Sequence, residues 1–389
     1  MKLLSYFGWR LLAFLVLLGS VEAYLWTSTK YGQLVVTERS ERFGWRMLPS
    51  QSRWSREGDV PEVINAFGYR DREWDSPRSE GDGWAKDGAL MRVAVLGQSM
   101  TYGTSVAIEE TWPRALEERL TQHLADRGDA RQALVMNFAV QGYVLEQMER
   151  VYLDDAAPFR PDVLIVPLHM GDILPMPPTR DEFDFRYRRP WFRTATRDFL
   201  NREVVGKWMP RPKPPVSQPG ADTGGLKNLL REDPRNKTLQ PYWAAAADRL
   251  KGLQERVESG GGRLVLAILP IIEHLIEVEP KRPDPSIYWD LWVERRAQVR
   301  PESPPIPVLS ARAEFARAQE TLSRDIVARF GPLPILPSSE KGLKILPPDL
   351  KGYEERLFLE QDVGHYSPRG HKLLGETVFE QGLEAGAWD

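Results

Sequence analysis

Ser99 stands just past Val93-Ala94-Val95-Leu96-Gly97-Gln98, where a short apolar run rich in β-branched residues stops at a glycine. Such a run predicts a buried strand, and the helical pattern from Trp112 to Ala125 predicts a helix soon after it. A serine in that turn lies where open α/β sheets hold their ligands. It also lies near helix N–H groups that can stabilise a developing anion. Far downstream, Asp362 precedes His365 by three residues in one short stretch. A carboxylate so placed can reach the imidazole and fix its tautomer and orientation. A serine, a histidine and an orienting carboxylate together make a nucleophile with its general base. Taken singly, an ordinary polar turn and a surface loop with a cap-seeking aspartate read at least as well.

Together, and in this order, the motifs resemble the SGNH (GDSL-type) hydrolases. That family's first block, Gly-Asp-Ser-x-Thr-x-Gly, is matched by Gly97-Gln98-Ser99-Met100-Thr101-Tyr102-Gly103. Its last block, Asp-x-x-His, falls on Asp362 and His365, followed by Ser367-Pro368-Arg369-Gly370-His371. The resemblance implies Ser99 as nucleophile, His365 as base and Asp362 as its orienter. It implies Gly142, in Asn137-Phe138-Ala139-Val140-Gln141-Gly142, as an oxyanion-hole amide. The third block, Gly-x-Asn-Asp, falls on His169-Met170-Gly171-Asp172, after the strand-like Val163–Leu168. Two positions depart from the pattern. Gln98 replaces the aspartate beside the nucleophile, where a hydrogen-bonding side chain is retained. Gly171 replaces the oxyanion asparagine, whose loss typically costs on the order of 10²–10³ in rate. His169 is a stand-in donor; a satisfied structural histidine is the other reading.

The elements that must position these residues alternate. Strand-like runs at Arg92–Leu96, Ala133–Phe138, Val163–Leu168 and Arg263–Leu269 are separated by helical patterns at Trp112–Ala125, Tyr143–Leu153 and Gln240–Ser259. A helix follows at Ala311–Phe330, a further strand is read at Leu333–Leu336, and a last helix starts at Pro368 with Ser367 as its N-cap. Alternation of this kind predicts a parallel sheet covered on both faces. This matches the α/β class the resemblance implies, a three-layer α/β/α sandwich of flavodoxin-like type, to which an N-terminal transmembrane helix is added here. Residues 173–239 interrupt the pattern with proline, arginine and aromatic residues. Three readings of this insertion stand: a substrate platform, a contact with the membrane surface, and a solvated loop with aromatics docked on the core. A second such stretch, Pro280–Pro307, carries Trp289 and Trp292 and could flank the same cleft.

At the N-terminus, Lys2 and Arg10 flank an apolar run from Leu11 to Gly19 that extends through Tyr24, Leu25 and Trp26. The run fits an uncleaved anchor better than a cleaved signal, with the bulk of the chain extracytoplasmic in either case. The expected organisation is an anchor or signal segment over 1–26, a lead-in over 27–90 and a hydrolase domain over 91–389, with the insertion at about 173–239. In the lead-in, Asn65-Ala66-Phe67-Gly68-Tyr69-Arg70 resembles a segment preceding the core in exported relatives, and packing is its expected task. Ser76 to Gly88 reads as a surface loop.

Composition narrows the classes. The 389 residues carry a net charge of -3 and no cysteine, so neither a nucleic-acid partner nor thiolate chemistry is indicated. The five histidines are scattered, without metal-ligand spacing, and no cofactor motif is present. The resemblance implies a cofactor-free extracytoplasmic serine esterase acting on an O-acyl group, acetyl foremost, of a carbohydrate or envelope polymer, and that is the expectation. The alternatives are an O-acyltransferase with the same triad and a catalytically impaired glycan-binding module. Acyl group, alcohol and oligomeric state are not legible.

Overall fold

The computed structural model describes residues 2–29, 37–54, 60–75, 89–176, 194–200, 204, 226, 229–230, 233–271, 292–293, 305–330, 357–359 and 365–388. The first element is the apolar helix α1 (Lys2–Ser28). Its window Phe7–Ser28 has a mean hydropathy of 1.6 and is 6% buried, long and apolar enough to cross a membrane. A signal sequence passes the same test.

Two antiparallel pairs follow, β1 (Thr37–Ser40) with β2 (Gly44–Met47) and β3 (Gln51–Trp54) with β4 (Pro61–Ile64). The main sheet comprises β5 (Leu90–Val95), β6 (Gln132–Asn137), β7 (Val163–Leu168), β8 (Arg263–Ile268) and β9 (Val308–Ser310). All five are parallel, in the order β6-β5-β7-β8-β9. The chain grows first to one side of β5 and then to the other. The resulting switch point between β5 and β7 is where doubly wound sheets open a crevice at the strands' C-terminal ends.

The helices are α2 (Ser99–Tyr102), α3 (Trp112–Asp126), α4 (Leu145–Val151), α5 (Gln240–Ser259), α6 (Arg312–Phe330) and α7 (Pro368–Glu384). The pleat divides the core in two. Val93, Val95, Val163, Ile165, Val265 and Ala267 pack with α3, α6 and α7 on one face. Ala94, Leu96, Leu164, Val166, Leu264 and Leu266 pack with α4 and α5 on the other. This period of two, with both sets buried, is what a sheet covered on each face requires. The fold is thus the three-layer sandwich expected.

Trp45, Ile64, Tyr69 and Trp74 of the lead-in belong to the second of these clusters. Trp292 is a core residue rather than a cleft residue: it is buried against Trp243 of α5, ring centroids 4.7 Å apart.

Observed boundaries differ from expectation in two places. Helix α4 ends at Val151, and Tyr152–Ala156 form a wider π turn before the loop to β7. The fifth strand is Val308–Ser310, just past the Pro280–Pro307 stretch, where the sequence pattern predicts no element. The strand read at Leu333–Leu336, the loop at Ser76–Gly88 and most of the insertion lie outside the described residues.

Candidate active site

Strand β5 ends at Val95, and the chain turns at Gly97, whose φ is +146°. A Cβ there would lie 2.5 Å from Thr101 Oγ1, so the turn requires glycine twice over, by conformation and by space. Gln98 caps α2: its Oε1 accepts from Met100 N–H at 3.3 Å and from the Ser99 hydroxyl at 2.6 Å. Gln98 therefore has a defined place in this structure. The Gln98 amide oxygen takes over the N-cap acceptor role and holds the serine hydroxyl.

Ser99 is the first residue of α2, half-buried, and its own N–H makes no hydrogen bond among the described residues. The turn is buttressed from behind by the lead-in. The Arg70 guanidinium is completely buried. Its Nη1 donates to the carbonyls of Tyr102 and Gly103, both at 2.9 Å, and its Nη2 donates to that of Val106 at 2.5 Å. Glu62 lies beside it at 3.7 Å and accepts from the Tyr102 hydroxyl at 2.8 Å. A buried cation is tolerated because both of its Nη groups donate to carbonyls and a carboxylate lies beside its Nε.

Asp71, next in sequence, accepts from Asn137 N–H at 2.9 Å and from Trp74 Nε1 at 3.1 Å, and pairs with Arg114. Burial pushes its pKa up, while Arg114 and the N–H donors pull it down. Asn137, the last residue of β6, donates to Thr101 O at 3.0 Å and accepts from Ala139 N–H at 3.1 Å. The motif read as packing alone is thus the brace of the serine turn.

The loop after β6 is drawn to the same point. Val140 N–H donates to Gly97 O at 3.2 Å, and Gln141 Nε2 donates to Thr104 Oγ1 at 3.0 Å. Gly142 follows with φ +79° against the Trp45 ring, whose Nε1 donates to Gln141 O at 3.1 Å. The Gly142 N–H is exposed and unbonded among the described residues. Two amides without partners, on loops tied together through Gly97, are what an oxyanion site is built from.

After β7, His169 begins a short 3₁₀ turn. Its N–H donates to Asp172 Oδ2 at 2.7 Å, and its Nδ1 accepts from Gly171 N–H at 3.1 Å. The Gly171 amide is therefore spent on the ring. An acceptor Nδ1 places the imidazole proton on Nε2.

His365 lies at the same end of the sheet, half-buried. Its carbonyl accepts from Leu359 N–H at 2.9 Å, and neighbouring Tyr366 pairs with Phe358 and donates its hydroxyl to Pro270 O, just past β8, at 2.6 Å. Helix α7 then starts as expected: Ser367 accepts from Gly370 N–H at 3.1 Å, and Pro368 takes the first position. One turn in, His371 is fully buried, with Nδ1 accepting from Trp112 N–H at 3.3 Å. Burial lowers its pKa to about 3, helped by Arg70 and His365. Asp362 lies outside the described residues. Among the described residues no group of three or more His, Asp or Glu forms a metal site.

No family model and no curated protein matches the sequence. Solved structures with a similar fold include a lipase from a goat rumen metagenome, at 13% identity and TM-score 0.41, covering 75% of this chain and 97% of that one. An acetylxylan esterase from Geobacillus stearothermophilus has 12% identity and TM-score 0.40, covering 76% and 94%. A Desulfitobacterium hafniense protein described as lipolytic and of the G-D-S-L family has 15% identity and TM-score 0.37, covering 75% and 99%.

Proposed function

We propose that the chain is a membrane-anchored extracytoplasmic serine esterase that removes an O-acyl group, acetyl foremost, from a carbohydrate or envelope polymer. The observation that carries this reading is the Ser99 turn. It has a serine at a helix start beyond β5, beside the switch point of the sheet, braced by Arg70, with the unbonded N–H groups of Ser99 and Gly142 on joined loops.

Ser99 Oγ attacks the ester carbonyl as His365 takes its proton. His365 returns a proton to the leaving alcohol, and water then releases the acid. Asp362 orients His365. The oxyanion is met by the amides of Ser99 and Gly142 and by His169 Nε2–H. Before attack the hydroxyl swings from Gln98 to His365, exchanging one neutral hydrogen bond for another, so the net cost is small. The substrate class rests on the sequence resemblance.

A second reading, an impaired glycan-binding module, draws on the Ser99 hydroxyl being engaged with Gln98 and the Gly171 amide being engaged with His169. One experiment separates the two. Detergent-solubilised full-length protein and Ser99→Ala are treated with a fluorophosphonate and assayed on aryl acetates. Labelling and turnover present in the wild type and absent in Ser99→Ala support the esterase. A folded wild type that neither labels nor turns over substrate refutes it.

A further inference from the structure

The insertion returns to the anchor. Thr194 caps a short helix, Ala195–Phe199, whose first amides are taken by a residue 173 positions earlier in the chain. Glu22 of α1 accepts from Ala195 N–H at 2.6 Å, from Thr196 N–H at 2.9 Å and from the Thr196 hydroxyl at 2.8 Å. Glu22 lies in the last two turns of α1, beside Tyr24 and Trp26, the aromatic pair expected at a membrane interface. The short helix is thereby held at the depth where headgroups begin.

What it presents there is apolar and basic. Leu200 and Val204, four positions apart, are 44% and 42% exposed, and Arg197 is exposed beside them. The sequence from 186 to 207 holds seven Arg or Lys and two Asp or Glu, a net +5 in a chain whose total is -3. A solvated surface loop has no need to concentrate charge in this way. A segment lying on anionic headgroups does, because attraction there acts within a Debye length, about 8 Å at physiological salt.

We propose that this segment is a second membrane contact: latched to the end of α1 by Glu22, it seats Leu200 and Val204 among the headgroups and binds anionic phospholipid through Arg197 and the net positive charge of its sequence. The proposal rests on α1 being the membrane span.

The chain has no cysteine, so single thiols can be placed cleanly. Full-length Leu200→Cys and Val204→Cys, labelled with an environment-sensitive fluorophore, are reconstituted in nanodiscs of phosphatidylcholine with phosphatidylglycerol and brominated acyl chains. Glu118→Cys on α3 serves as reference, and circular dichroism checks each fold. Both reporters are expected to shift to the blue and to be quenched at least twofold more than the reference. The excess should fall by half or more in pure phosphatidylcholine, in Arg197→Glu/Arg202→Glu and in Glu22→Gln. Reporters quenched no more than the reference, in protein that has entered the discs, overturn the proposal and leave the anchor reading intact. Equal quenching with and without phosphatidylglycerol overturns anionic recognition. Protein that does not enter the discs overturns both readings.

Discussion

His371 tests the packing behind the site through acid stability. Its ring is enclosed by α3, Tyr366 and the Arg70 guanidinium, with His365 nearby, and its Nδ1 accepts the Trp112 N–H. The folded pKa, about 3, lies below the ordinary histidine value near 6.5. The unfolded chain therefore binds a proton over a range in which the folded chain refuses it. Stability is intact above about pH 6.5 and is lost as pH falls toward 3. From pH 7 to pH 4.5 the unfolded side gains about two pKa units of protonation energy, roughly 2–3 kcal/mol at 1.36 kcal/mol per unit.

The variant His371→Gln keeps an acceptor for Trp112 N–H and cannot titrate. Denaturant unfolding of the detergent-solubilised chain, followed by tryptophan fluorescence at pH 7 and 4.5, should show wild type losing roughly 2–3 kcal/mol more than the variant. Carbon-labelled histidine spectra, with five residues to resolve, should show one ring that does not move over that range. Equal acid losses in the two proteins, or a His371 ring titrating near pH 6, would refute the reasoning.

Gly97→Ala should destabilise by about 2 kcal/mol and abolish fluorophosphonate labelling. Thr101→Ala should not rescue it, because the Thr101 Cβ itself lies 2.6 Å from the new methyl group, whereas Thr101→Gly should restore part of the stability. Arg70→Met strands the Glu62 carboxylate and should cost about 3–5 kcal/mol in thermal or denaturant unfolding. Pairing it with Glu62→Gln should recover a measurable share. His169→Ala should lower kcat on aryl acetates by on the order of 10²-fold with little change in KM. A kcat within threefold of wild type would remove His169 from the oxyanion site.

Much of the architecture could be read in advance. Strand β5 with the Leu96 that follows it, and strands β6 to β8, each carry a run of four or more apolar residues, and α7 carries its start signal in the chain. Val308–Ser310 was missed because three residues after a proline-rich stretch carry no periodicity; β8 alone makes them a strand. The site was legible as far as motifs reach, to Ser99, Gly142 and His365. Arg70 was seen in its motif and taken for packing, since arginine is ordinarily a surface residue, and only tertiary contacts reveal where its guanidinium points. The tautomer of His169 likewise depends on a bond to Gly171 N–H that spacing does not announce.

The brace from Arg70 also bears on what is inherited as a unit. The alternating pattern begins near residue 91, and a recombination event or an engineer following it would cut there. The transplanted piece would carry Ser99, Gly142 and His365 intact. It would leave behind the guanidinium that gathers the carbonyls of Tyr102, Gly103 and Val106, and the carboxylate that ties Asn137 to α3. Shuffling that respects the hairpins from residue 37 onward keeps the support of the Ser99 turn with that turn.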